Sequence, residues 1–454
     1  MSNKLTFVNH ASFYITNDTS LLLIDPWVEG AVFNNGWSLL DTSTSNETLV
    51  REVAAHQRAI YIWYSHEHPD HFSISFIKRL KQENLGKVTV LYQQTKDGRV
   101  AGFLRKNDFD VIECAPGQRQ RIDAQLAVTV FSYSDGDSYC LIEAGDKSIL
   151  NLNDCAVASQ TACARVRKAV AALSGSVDLL FTQFGYANWV GNPFEPALRR
   201  EAAAEKRARI NLQMETLRPA ITVPFASFVA FSSVENSYLN DHQNSAHTIR
   251  QWATLSSVTE NVRFMKPGDV IDLDTVTAAD MNRMSHLAVE HWEQLGSRTR
   301  TPTPSEPSVS KADLFAAFAR YRSGVGANLP LLPYVLEKLG MLKPFVLHVP
   351  DIALTVRCSY VSGMTELAPN TSFDISMTSP GVAFLFSNEY GFNTTHVNGR
   401  FRTTSADAVQ RFSRFFMPQN LGRQGFGIRH PFATAGHLAA NVLGRLRATV
   451  RDVA

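Results

Sequence analysis

Apolar residues fall in short continuous or alternating runs through the first half of the chain. KLTFVNH, SFYITND, SLLLIDP, AIYIWYS, KVTVLY, LAVTVFSYS, YCLIEAG, KSILNLN and VDLLFTQ are rich in β-branched or aromatic residues and are separated by turn formers, a spacing that predicts strands. Helical periodicity enters in SISFIKRLKQEN and TACARVRKAVAALSG. It is strongest in EPALRREAAAEKRARINLQMETLRP, where Pro219 supplies the stop. A further strand run, AITVPFASFVAF, follows. Strands with helices inserted between them predict an α/β fold of two sheets with helices on their outer faces, an αβ/βα sandwich.

Between Gly296 and Lys311 the text becomes GSRTRTPTPSEPSVSK, rich in Pro, Ser and Thr and too poor in apolar residues to join a core. At 454 residues the chain exceeds what one core fills, so a boundary is expected there. Residues 1–295 form the larger domain, 296–311 a linker and 312–454 a smaller α+β domain. The last reads as a helix ADLFAAFARYRSG, an apolar loop ANLPLLPYVLEKLG, strands DIALTVRCSYV, SFDISMTS and VAFLFSN, and a helix SADAVQRFSRFF.

Composition excludes several function classes. The 44 Lys and Arg against 42 Asp and Glu leave a net charge of +2, too weak a field to favour nucleic acid or an anionic bilayer. The basic run RREAAAEKRAR is interleaved with Glu and Ala and reads as a solvated helix face. The first residues lack an apolar segment ahead of a cleavage site, and no stretch reaches the ~18 apolar residues of a membrane span. Cys114, Cys140, Cys155, Cys163 and Cys358 form an odd set without CxxC spacing, which argues against disulfides or a thiolate zinc site and for the reducing cytoplasm. Phosphate-loop, dinucleotide-fingerprint and nucleophile-elbow patterns are absent from the sequence.

YSHEHPDHF, Tyr64 to Phe72, packs three histidines and an aspartate directly after the predicted strand AIYIWYS. On a loop at a strand's carboxyl end, His66 and His68 point one way while Asp70 and His71 turn to the other, so two adjacent metal sites are expected. Imidazole suits zinc, iron and other borderline cations, and a carboxylate among the ligands leaves room for a bound water of lowered pKa. A polar loop or a single structural zinc is the competing reading. Glu67, between two candidate ligands, reads either as exposed or as a catalytic proton carrier.

The pattern His66-Glu67-His68-Pro69-Asp70-His71 resembles the HxHxDH signature of the metallo-β-lactamase superfamily, and NHASFYITNDTSLLLIDPW resembles that superfamily's first hairpin, with His10 and Asp25 ahead of the metal loop. The resemblance implies that Asp154, in ILNLNDC, bridges both metals, a buried turn-capping Asp being the alternative; on the hydrolase reading Asp70 has the catalytic role of orienting the attacking hydroxide. The histidine usually supplied before Asp154 is missing from VTVFSYSDGDSYCLIEAGDKSILNLNDC, so Asp135 or Asp137 is expected to substitute. The last histidine is His242 in SYLNDHQNSAH, with His247 as the alternative. A carboxylate in place of a histidine favours iron or manganese over zinc and suits a centre that activates oxygen.

Within the superfamily, the metal loop, GDSYCLIEAGDKSILNLNDC, METLRPAITVPFASF and KPGDVIDL resemble the catalytic region of the CMP-N-acetylneuraminate hydroxylase family. That resemblance implies non-haem iron oxygenation beside a Rieske domain. This sequence holds no Cys-x-His with Cys-x-x-His, so a separate electron donor is expected. The stretch SFDISMTSPGVAFLFSNEYGFNTTHVNGRFRTT resembles a sterol-carrier-protein type of fold, which implies a unit that lines an apolar pocket, mediates a homodimer or caps the main domain; His396 reads as structural.

Phe184, Tyr186, Asn188 and Trp189, in FTQFGYANWVGNP after a predicted strand, are candidate substrate walls with one amide handle, and core packing is the alternative. The expected function is that of a dinuclear metalloenzyme, with iron first and zinc or manganese as alternatives, oxidising a small molecule with O2 as co-substrate. The rivals are a metallo-hydrolase of a phosphoester, lactone or amide, and a binding scaffold with a degenerate site.

Overall fold

Strand SLLLI, Ser20–Ile24, is buried along its whole length: Leu21 and Leu23 join one apolar cluster, and Leu22 and Ile24 another. A run that is apolar on both faces requires a sheet covered on both sides, and that requirement organises the larger part of the molecule. The computed structural model describes residues 2–423 except 84–87 and 257–260, together with Gly427. It divides into two compact units, Met1–Thr303 and the chain from Pro304 onward.

The first unit holds two mixed sheets. One has the order Val270–Asp272, Lys4–Asn9, Ser12–Thr16, Ser20–Ile24, Ala59–Tyr64, Val88–Gln93, Asp110–Cys114. The other runs Ile221–Phe225, Leu179–Gln183, Lys147–Asn153, Ser138–Ala144, Leu126–Ser132, Arg119–Arg121. Each combines antiparallel hairpins with a parallel part built from helical crossovers. Their facing sides share one core, in which Phe13 of the first sheet stacks on Phe181 of the second at 4.5 Å. Helices Asn46–Ala55, Ile74–Gln82 and Arg99–Lys106 cover the outer face of the first sheet, and Gln160–Ala171 with Pro196–Leu217 cover that of the second. Side chains of Ser45, Ser73 and Ser159 cap the amino ends of three of these helices. The layers are those of an αβ/βα sandwich.

Three expectations are corrected here. AITVPFASFVAF is two strands, Ile221–Phe225 and Val229–Phe231, because Ala226 turns at φ 54° while its N–H donates to the His10 carbonyl at 2.8 Å. The basic run of the long helix is not wholly a solvated face, since Arg199 and Lys206 are buried. Arg199 is held by both oxygens of Asp241, at 2.7 and 2.9 Å, and by the Asn192 carbonyl at 2.6 Å, the bidentate pairing that lets a guanidinium leave water. The stretch read as a linker is stitched to the first unit in its early part: the Thr303 N–H donates to Ser232 at 2.7 Å, and Arg300 donates to the carbonyls of Leu39 and Leu40.

The second unit is a five-stranded sheet, in the order Gly363–Glu366, Leu354–Ser359, Phe345–Val349, Ile375–Ser376, Arg402–Thr403, packed with helices. VAFLFSN, read as a strand, lies in helix Ser379–Ser387. An apolar run this short fits either period, and Pro380 in the first turn together with Asp351 accepting from the Ser379 N–H at 2.8 Å settles it as a helix. ANLPLLPYVLEKLG likewise holds helix Leu332–Lys338. His396 sits in helix Gly391–Asn398, where burial lowers its proton affinity. Apart from Gly427, the part of this domain beyond residue 423 lies outside the described residues. Among the described residues no helix is long and apolar enough to cross a membrane.

Because the Phe13–Phe181 stack joins the two sheets, Phe181→Ala should destabilise the chain by about 3–5 kcal/mol, read as a lower midpoint in urea unfolding.

Candidate metal centre

Strand Ala59–Tyr64 delivers its loop from the parallel part of the first sheet, and Lys147–Asn153 delivers Asp154 beside a parallel pairing in the second. Ligands of α/β sheets gather outside such carboxyl ends. The loop tightens at HPDHF, where the amides of His71 and Phe72 both donate to the His68 carbonyl, at 3.0 and 2.7 Å, and Asp70 and His71 fall in a different group from His66 and His68, although the His66 and His71 rings lie only 4.3 Å apart. Two groups result: His66, His68 and Asp154 in one, His10, Asp70 and His71 in the other. In each group, one ligand atom from every residue lies within 4.8 Å of the others.

His66 Nε2 and His68 Nδ1 are 2.9 Å apart. Asp70 Oδ2 lies 3.5 Å from His10 Nε2 and 3.3 Å from His71 Nε2. Asp154 Oδ2 stands 3.6 Å from His71 Nε2, so this carboxylate, a member of the first group, also borders the second. The second group is entirely buried, whereas His68 and Asp154 are partly exposed, which makes the first group the open side. The Phe33 ring meets His68 edge-on at 5.8 Å.

Buried polar contacts fix which nitrogens face the centre. Asp25, fully buried at φ 39°, accepts from the Ser65 N–H at 2.8 Å, the Ser65 hydroxyl at 2.7 Å, His71 Nδ1 at 3.1 Å and the Asn153 amide. Because the Ser65 hydroxyl donates to Asp25, it accepts from His66 Nδ1, 2.9 Å away. Both imidazoles therefore carry a proton on Nδ1 and aim Nε2 inward, the orientation a metal needs.

The electrostatics call for cations. Burial pushes His66 and His68 below the ordinary imidazole range, which keeps them in the neutral, ligating form. Burial also works against charge on His71, yet Asp70 and Asp154 hold its proton affinity well above that range. The Asp70 carboxyl, despite burial, stays ionised far below its usual range because His71 and His10 face it. Among the described residues His10 Nε2, His71 Nε2 and Asp70 Oδ1 are buried with no hydrogen-bond partner. Orphaned atoms of this kind are costly unless a cation takes them up, and four imidazoles with two carboxylates fit a pair of divalent ions.

Other sequence candidates lie outside both groups. Glu67, with its side chain 29% exposed, faces Arg99 at 3.7 Å. Asp137 closes the turn Ser134–Gly136, which Gln93 ties down through the Gly136 carbonyl; the side chain of Asp135 lies outside what is described. His242 stands 3.5 Å from Arg200, on the long helix, and His247, 53% exposed, faces Glu293 of helix Ala278–Gly296 at 3.4 Å. Phe184 is a core residue that packs on Phe228 and Phe264 and borders a cavity of about 430 Å³ with Trp292, and the Tyr186 hydroxyl donates to the Leu239 carbonyl. Only Asn188 and Trp189 of that set sit half-buried on the loop.

Sequence reading left His10 out of the ligand set. Its signal was an imidazole in the turn between two strands that are buried except at Lys4, at φ 35°, where its N–H is held by Asn9 Oδ1 at 2.9 Å. Gln183, which donates to Asp154 Oδ1 at 2.9 Å, was also missed, because nothing local in VDLLFTQ marks it.

No family model matches the chain. Among curated proteins it is 23% identical over 303 residues to cytidine monophosphate-N-acetylneuraminic acid hydroxylase of Danio rerio, a match covering 63% of this chain and 48% of that protein. The chain spans about half the length of the curated relatives it matches. Among solved structures, CmlA, a diiron β-hydroxylase from Streptomyces venezuelae, is 16% identical with a TM-score of 0.40, over 60% of this chain and 54% of that one. A possible metal-dependent hydrolase from Veillonella parvula is 15% identical with a TM-score of 0.45, over 60% of this chain and 100% of that one.

Since Asp25 sets the tautomer of two candidate ligands, Asp25→Asn should weaken Zn²⁺ binding roughly 10–100-fold. Competition against a chromophoric chelator measures the change.

Proposed function

We propose that this αβ/βα sandwich is a dinuclear metalloenzyme of the metallo-β-lactamase type, in which His66, His68 and Asp154 hold one ion and His10, Asp70 and His71 the other. In this reading the ions are iron, O2 is the co-substrate, and the reaction is the hydroxylation or other oxidation of a small molecule. The observation that carries it is the convergence of two ligand groups at Asp154, with a carboxylate in each. Mixed imidazole and carboxylate donors suit iron, and the relatives named as hydroxylases support the oxidative reading.

When bound, two irons supply Lewis acidity and the redox change that O2 activation needs. The protein's own part is positional. Asp25 and Ser65 hold the imidazoles, and the closed second group keeps water from Asp70 and His71. Glu67, steadied by Arg99, is the proton carrier beside the open side, and Asn188 and Trp189 border the substrate's approach. Electrons come from a separate donor.

A second reading loads zinc or manganese and hydrolyses a phosphoester, lactone or amide, with Asp70 orienting the attacking water. The four imidazoles favour it, since that nitrogen-rich set suits zinc as well.

Protein purified without oxygen from iron-replete cells should hold about two irons per chain and consume O2 when reduced, and Asp70→Ala should lose at least one of the two. Zinc or manganese without O2 uptake would move the assignment to the hydrolase. Wild-type protein with one ion or none, and Asp70→Ala with unchanged content, would overturn the dinuclear centre altogether.

A further inference from the structure

We propose that Lys206, acting through Gln183, is a positioning residue for Asp154, an inference that rests on the dinuclear reading above. Gln183 is the last residue of strand Leu179–Gln183, paired in parallel with Lys147–Asn153, so its side chain arrives beside Asp154. It is 5% exposed and donates from Nε2 to Asp154 Oδ1 at 2.9 Å. Its Oε1 accepts from Lys206 Nζ at 2.5 Å. The amide has no choice of orientation: an ammonium only donates and a carboxylate only accepts, so oxygen must face the lysine and nitrogen the aspartate.

Lys206 is 8% exposed in the middle of helix Pro196–Leu217, a place where an ammonium is costly unless something compensates it. Burial lowers its proton affinity to about 8, and Asp154 is among the carboxylates that pull it back up. The charge polarises the amide and strengthens its donation to Asp154. With Oδ1 engaged, Asp154 turns Oδ2 toward His71 Nε2 at 3.6 Å, so the carboxylate of the first group borders the second. A neighbouring buried amide on the same helix, Gln213, ends on the Thr182 hydroxyl and the Val157 carbonyl, which is a tie within the scaffold; the Lys206 chain ends on a ligand.

The test is Co²⁺ titration of the metal-free full chain, followed by visible absorption. Lys206→Met and the isosteric Gln183→Glu should each bind the more weakly held ion roughly 10–100-fold less tightly, with a changed Co²⁺ band. Lys206→Arg, which keeps a cationic donor, should restore both, and combining the first two variants should add little to either. If Lys206→Met does not fold, Gln183→Glu decides. Folded variants with wild-type affinity and absorption would overturn the positioning role. Asp154→Ala separates the two levels: if it binds Co²⁺ like wild type, the dinuclear reading fails, and if it loses Co²⁺ while Lys206→Met and Gln183→Glu do not, only the Lys206 inference fails.

Discussion

The structure of the centre depends on one buried carboxylate. Asp25 has no access to solvent and is satisfied entirely by protein donors: the amide and hydroxyl of Ser65, the Nδ1 proton of His71 and the side chain of Asn153. A buried carboxyl group in that position is tolerable only while every donor is in place. Those donors come from the loop after Ala59–Tyr64 and from the end of Lys147–Asn153, so the contacts that satisfy Asp25 also join the two sheets at the point where the ligand-capable side chains meet.

The two ligand groups differ in their surroundings. His10, Asp70 and His71 are sealed from water, and His10 is fixed from both sides, by Asn9 on its own hairpin and by the Ala226 amide from the second sheet. His68 and Asp154 retain some exposure, so that side is the one open to solvent. The helices behind the second sheet contribute to the site as well as to the core: the long helix buries Arg199, Lys206 and Gln213 on its inner face.

What could be read from the sequence follows the range of the interactions involved. Most strands of the two sheets were legible because they are apolar runs with local turn residues, whereas the edge strands Asp110–Cys114, Arg119–Arg121 and Val270–Asp272 are short, partly exposed and too polar to stand out. HxHxDH was legible because one loop supplies four candidate ligands in six residues. Even the division of that loop into two directions follows from local geometry. His10, Gln183 and Lys206 were not legible, since each acquires its role only through a partner far away in sequence. Lys206 and Arg199 were misread because interleaved charge normally marks an exposed face, and burial here is made tolerable by Gln183 and Asp241. In the second unit, VAFLFSN is too short and too uniformly apolar for periodicity to separate helix from strand.

The ligand-capable side chains are scattered: position 10 on the first hairpin, 66 to 71 on a crossover loop, 154 on the opposite sheet. The loop alone holds four of them, but neither group is complete until the first hairpin and the opposite sheet have closed on it. Ions held by both groups would therefore latch the two halves together, deepening the native basin by mass action.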